Sequence, residues 1–393
     1  MKKNFLLDGL VILGILGSLV SCKDSGVTVT TDKEEALQPI VAPYVNNTVI
    51  ATYSAMADEG LKLLASAKQI AEAVNNGSDD YAHIIAEADD HWRAMRKYWE
   101  QSEAFLYGPV DAHNIDPHLD SWPLDFNAMN SLLNNVAQMQ DIEEAGIDYV
   151  RNNLGYALQG FHACEYLLFE SQVVEGRTIG TGRAHAANLS KAESIYLLGV
   201  ITDLVEQACL LEYCWAGELR EAKMAVLEEA EIEPWEDRYA EQMLNAGKPG
   251  SLYVNYQKVA EQIVSGCYTI AGEVADLKLG NPYLSNTPKQ RDYIESPYSC
   301  TSTTDFVDNI LSIKHAYCGA KEGDACLSDY VKSQDADLDE RVRLAIDQSI
   351  AAIEAIEDFE NHAQGDEKVK AAMDETSELE RILHKEVEPL LSK

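Results

Sequence analysis

The chain has 393 residues, 46% of them hydrophobic and five of them Trp, so it can bury a large core and has the length of two domains. Its formal net charge of −35 excludes nucleic acid and anionic lipid as electrostatic partners. Such a surface attracts cations, but the total charge by itself need only keep the protein soluble.

Lys2 and Lys3 open the chain, residues 9–20 are apolar, and Leu19-Val20-Ser21-Cys22 follows. The apolar run is too short to span a bilayer. The tetrapeptide looks like a bacterial lipobox. Residues 1–22 are therefore expected to be a lipoprotein signal peptide. Cys22 would carry the lipid that holds the protein to a membrane of the cell envelope, on the periplasmic or the exterior side. An uncleaved anchor leads to the same membrane. Residues 23–35 are polar and read as a flexible tether. Seven cysteines follow Cys22, an odd number that leaves at least one unpaired in a monomer. Cys318 and Cys326 flank a short polar loop and are the expected pair.

Helical periodicity runs through nearly all of the remainder. Val45, Val49, Met56, Leu63 and Ile70 mark a helix over residues 42–74, stopped by Asn75-Asn76-Gly77. A second helix reaches Leu106 and carries Trp92, Arg93, Arg96, Trp99 and Glu103; Gly108-Pro109 ends it. Residues 110–124 are irregular and rich in His and Asp, among them His113, Asp116, His118 and Asp120. Long loops in helical proteins often have a functional reason, although these residue types are also ordinary turn formers. Asp125 is placed to cap a short helix over residues 126–136. A buried helix is expected over residues 148–171, followed by a Gly-rich link at 176–182. Further helices are expected over 190–215, 251–279, 304–316, 335–360 and 366–391, with a charged excursion at 218–247. No segment reads as a strand. The fold class is all-α, with two helical-bundle-like domains: an N-terminal half over 36–182 and a C-terminal half over 183–393.

The candidate chemistry centres on Gly160-Phe161-His162-Ala163-Cys164-Glu165. Residues three apart share a helix face, so His162 and Glu165 can converge on one point, as metal ligands do in helical bundles. The spacing is common by chance. The apolar neighbours Leu154, Leu158, Leu167, Leu168 and Phe169 bury the pair, and a buried His and Glu need a metal or partners. A metal site and a satisfied ion pair both meet that need. Gly160 suits close approach by a ligand or another helix. Cys164 is either a thiolate ligand or a small buried residue. There is no His-Glu-x-x-His, Gly-x-Ser-x-Gly, Walker loop or Cys-x-x-Cys.

Gly160-x-His162-x-x-Glu165 resembles the Gly-x-His-x-x-Glu signature of imelysin-like proteins. Three further blocks agree in order. They are Trp92-Arg93-Ala94-Met95-Arg96 with Glu103-Ala104-Phe105-Leu106-Tyr107-Gly108-Pro109, then Ile115-Asp116-Pro117 through Asp120-Ser121-Trp122-Pro123-Leu124, and then Glu295-Ser296 to Ser299 with Asp305, Asn309 and Gly319. The resemblance runs from about residue 40 to the C-terminus. It implies two helical domains with the His162 and Glu165 helix near their interface, in an envelope protein often linked to iron uptake.

The expected function is metal binding in iron uptake or handling, with His162, Glu165, Glu103 and Asp305 as ligands, iron favoured and zinc open. Arg96 is a candidate for an anionic ligand, or else an ordinary salt bridge. Iron-transport proteins are the expected partners. One alternative is a zinc-dependent metallopeptidase, for which His91, His113 and His118 are the third-ligand candidates. The other is a non-catalytic interaction protein with a structural His/Glu pair.

Overall fold

The structure, a computed structural model, describes residues 32–174 and 177–392. The expected signal peptide and Cys22 lie outside the described residues. The expected tether ends sooner than residue 35, because helix α1, Asp32–Pro43, already includes its last four residues. The reason is a helix cap at long range: the Glu34 carboxylate accepts from the Tyr256 and Gln257 N–H groups at 2.7 and 3.1 Å.

Two helical bundles form the molecule. The first contains α2 (Ala51–Asn75), α3 (Ala82–Glu100), α4 (Gly160–Leu168) and α5 (Lys191–Ala216). α2 packs along both α3 and α5, and α4 fills the space between α3 and α5. α5 starts at a Ser190/Glu193 capping box and stops at Gly217. It is long and apolar enough to cross a membrane, yet most of it is buried inside the protein. A helix apolar on all sides is a core helix when other helices cover every side.

The second bundle contains α6 (Tyr256–Glu273), α7 (Ser302–Cys318), α8 (Ala336–Glu354) and α9 (Glu367–Ile382). Each packs on the next, and α9 closes against α6. The expected division at residue 182 does not coincide with this packing: α5 follows that point in sequence but belongs to the first bundle. The charged excursion lies between α5 and α6 and holds two short helices, Glu221–Glu229 and Tyr239–Leu244.

The motif region also departs from the single helix expected over 148–171. Helix Ile147–Asn153 ends, a short turn intervenes, and α4 begins only at Gly160. Gly160 adopts φ +71°, and a Cβ there would stand 2.2 Å from the Leu119 carbonyl oxygen. The close approach anticipated at this glycine is therefore made by the chain's own backbone. After α4, β1 (Phe169–Val174) and β2 (Arg177–Ala184) form an antiparallel hairpin where no strand was expected. β2 also donates from Gly180 and Gly182 to the Pro297 and Tyr298 carbonyls, at 3.0 and 3.2 Å. Its tertiary partner, invisible in local periodicity, explains the miss. Cys318 and Cys326 line one cleft together but are free thiols.

The bundles meet where α7 lies on α3 and α6 lies on the turn Glu103–Phe105. A Cβ at Gly266 of α6 would come within 1.9 Å of the Ala104 carbonyl oxygen. Backbone cannot yield as a side chain can, so Gly266→Ala should cost about 2 kcal/mol or more. Urea unfolding would measure it; an unchanged midpoint would refute so tight a junction.

Candidate functional site

Arg96 stands on α3 at the junction, 1% exposed. Its guanidinium meets Glu100 one turn later at 2.7 Å, Asp120 at 2.5 Å, Glu295 at 2.8 Å and Asp305 at 3.5 Å. These carboxylates come from α3, from the His/Asp-rich loop, from the segment before α7, and from the first turn of α7. The Arg96 side chain also lies over the Phe161 ring, 5.2 Å from its centroid. Arg96 thus holds internal carboxylates, the ion-pair alternative raised by its sequence.

His162 and Glu165 do share a face of α4. His162 Nδ1 lies 3.4 Å from Glu165 Oε2. Glu165 Oε1 accepts from the Tyr298 N–H at 2.9 Å, and from the Ser299 N–H and hydroxyl at 2.7 Å each. His162 Nε2 stands 3.0 Å from Asp120 Oδ1 but off the line of a hydrogen bond, and the atom is buried without a hydrogen-bond partner. Asp120 is fixed on its other oxygen by the Trp99 indole N–H at 2.8 Å. Burial opposes charge on His162, but Asp120 and Glu165 outweigh it and raise its pKa to about 9. Burial also opposes charge on Asp120, yet Arg96 and His162 hold its carboxyl far below the usual range.

Lys278 is a second buried cation at the junction. Its ammonium lies 3.1 Å from Glu295, 3.5 Å from Glu100 and 3.9 Å from Glu103. Acidic groups still outnumber cations here: Glu100, Glu103, Asp120, Glu165, Glu295 and Asp305 surround Arg96, Lys278 and His162. The fold answers the excess partly with protons. Burial, foremost, raises the Glu103 and Asp305 carboxyls well above their ordinary values, and brings those of Asp116 and Glu295 to about 7.

The four expected ligands do not form one set. Among the described residues, donor atoms that lie within 4.8 Å of one another group Asp120 with His162 and Glu295, Glu100 with Glu103 and Asp120, and Glu100 with Glu295 and Asp305. Glu165 is in none of these groups. Asp305 accepts from the Ser296 hydroxyl at 2.5 Å and faces Arg96, while Glu103 faces Lys278. The first group fits a metal ion best. It joins imidazole to two carboxylates, His162 Nε2 lacks a hydrogen bond, and so does the buried Glu295 Oε2.

Glu295, Glu100 and Lys278 were not among the expected ligands, and Asp120 was raised only as one of the His/Asp-rich loop. Glu100 had a signal, its i, i+4 spacing from Arg96; Asp120 and Glu295 lay inside resembling blocks. The three third-ligand candidates are engaged elsewhere: His91 with Glu59, His113 with Asp237, and His118 with Asp203. Cys164 is fully buried, and burial pushes its thiol well up, as for a neutral packing residue.

These raised values fix a sign for pH dependence. Asp116 and Glu295 bind protons more tightly in the folded chain than when unfolded, so the stability they contribute is lost as pH rises through about 7. The contribution of His162 is full below 6.5 and lost as pH rises through about 9. In chelator-treated protein, the urea midpoint should fall from pH 6.5 to 8.5; a flat or rising profile would contradict the assignment.

Comparison with known proteins agrees with this architecture. The family model described as Imelysin, peptidase M75, matches residues 49–383. Iron-regulated protein A of Synechococcus elongatus is 27% identical over 279 residues, which cover 71% of this chain. The match spans only 63% of that relative's length. The crystal structure of a protein assigned as an iron-regulated protein A precursor, from Parabacteroides distasonis, superposes with a TM-score of 0.71 at 27% identity, covering 91% of this chain and 95% of the other. An imelysin-like protein from Psychrobacter arcticum shares the fold, with a TM-score of 0.63 at 13% identity over 93% of this chain and 98% of the other. On the match across most of its length, the chain belongs to the imelysin family.

Proposed function

We propose that this chain is a lipid-anchored envelope protein that binds one transition-metal ion, iron in preference to zinc, and serves iron uptake or handling. The observation that carries the reading is His162 Nε2, buried and without a hydrogen bond beside Asp120, in a pocket with more carboxylates than cations. Asp120, His162 and Glu295 are the ligands in this reading. Glu165, held by Tyr298 and Ser299, faces the other imidazole nitrogen and orients the ring. Arg96 and Lys278 position the carboxylates. A metal at Nε2 displaces a proton, so binding strengthens as pH rises.

An oxygen-rich set with one imidazole suits iron, and zinc accepts the same donors. The names of two relatives, iron-regulated protein A of Synechococcus elongatus and an iron-regulated protein A precursor of Parabacteroides distasonis, support an iron-related role. Burial favours holding an ion over hydrolysis. His162 and Glu295 are 1% exposed, and a peptide bond could reach them only after the bundles part. The Leu19-Val20-Ser21-Cys22 sequence supports the anchor.

Metal content and affinity test the site. The purified chain should hold iron at near-unit stoichiometry, and His162→Ala should abolish binding. Glu165→Ala should instead weaken affinity by about 10–100-fold, as loss of an orienting carboxylate does. Unchanged affinity in His162→Ala would end the reading, and a wild type that binds no metal would return the pair to a structural role. For the anchor, Cys22→Ser should shift the protein from the detergent phase to the aqueous phase and abolish fatty-acid labelling. Labelling that survives the substitution would disprove lipidation at Cys22.

A further inference from the structure

A second group of donors shares no residue with the first. His113 caps the short helix Pro109–Ala112, Cys214 lies in the last turn of α5, and Asp237 belongs to the charged excursion. One donor atom from each lies within 4.8 Å of the other two. His113 Nε2 is 2.6 Å from Asp237 Oδ2. The Trp235 ring stacks on the imidazole, 3.8 Å between centroids with 3° between planes, and fixes its orientation. The Cys214 thiol is buried and directed toward the Trp235 carbonyl, at 3.8 Å. His113 and Asp237 are partly exposed, with side chains 18% and 32% accessible, so the group opens to solvent on one side.

We propose that His113, Cys214 and Asp237 form a second metal site, selective for a borderline-soft divalent cation of the zinc class. The chemistry differs from that of the junction. Sulfur, imidazole nitrogen and one carboxylate oxygen make a compact mixed set, whereas the junction is dominated by hard oxygen donors. Three protein ligands with an open side leave the fourth tetrahedral position to water. On binding, the metal–sulfur bond replaces the S–H bond and the thiol proton goes to solvent. His113 is distant in sequence from Cys214 and Asp237, which belong to adjoining segments. An ion would therefore pin the excursion to the end of α5 and to the loop that also supplies Asp120.

Cobalt(II) is the probe, because a thiolate ligand gives it a charge-transfer absorption that oxygen and nitrogen ligands do not. Titrating the full chain with Co²⁺ should produce that band, and Zn²⁺ should displace it. Cys214→Ser should abolish it, while His162→Ala should leave it intact. His113→Gln and Asp237→Asn, at partly exposed positions, should keep the native circular dichroism and weaken Co²⁺ binding by about tenfold or more. Zn²⁺ should also slow proteolysis within residues 218–247 in the wild type but not in His113→Gln. Absence of the band in the wild type would overturn the proposal. So would a band that survives Cys214→Ser, or unchanged affinity in folded His113→Gln. Loss of junction metal in His162→Ala with this band retained would keep the two sites separate.

Discussion

Everything at the junction depends on burying Arg96 between the bundles. A guanidinium removed from water is stable only if carboxylates surround it at hydrogen-bond range. Glu100, Asp120, Glu295 and Asp305 do so from segments that the chain must bring together by folding. Removing one partner from such a buried pair costs about 3–5 kcal/mol, chiefly because the remaining charge is stranded. The mutual position of the bundles is therefore set by electrostatics as well as by the backbone contact at Gly266. A purely apolar junction would have tolerated sliding; a planar cation with directional donors does not.

The same arrangement creates the site's chemical bias. Arg96 and Lys278 satisfy some of the carboxylates, but the acidic groups remain in excess and are buried. Buried negative charge must be offset by protons or by another cation. The raised carboxyls of Glu103, Asp116, Glu295 and Asp305 are the proton answer. A metal ion would be the other, and it would compete with those protons and with the proton on His162. In the proposed site, affinity and pH would thus be linked through groups that are not all ligands.

The all-α class, the order of the helices and the sharing of one face by His162 and Glu165 were legible in the sequence, because period 3.6 and the i, i+3 rule are local. The interrupted motif helix was less so. The apolar residues from Leu154 to Phe169 imitate one continuous helix, and only the Leu119 backbone pressed against Gly160 reveals the break. The β hairpin owes its second strand to Pro297 and Tyr298, more than a hundred residues on. Asp120 stood out only as one acid of a His/Asp-rich loop and Glu295 only within a block that resembles a family, since no spacing rule links either to His162. Glu103 and Asp305 lie near the cluster, but Lys278, Ser296 and Arg96 face their oxygens.

The motif's two polar residues then have different tasks. Glu165 reaches into the second half of the chain and accepts from Tyr298 and Ser299. Those backbone groups belong to the segment that also carries Glu295 and leads into α7. Arg93 reinforces the link, donating to the carbonyls of Gly182 and Ser299 at 3.1 and 3.2 Å. Glu165 therefore positions the loop that supplies Glu295, while His162, one turn earlier, keeps Nε2 facing Asp120. The spacing of three residues serves this division of labour. One face of α4 holds the opposing loop with its carboxylate and presents a nitrogen to the space that the loop encloses.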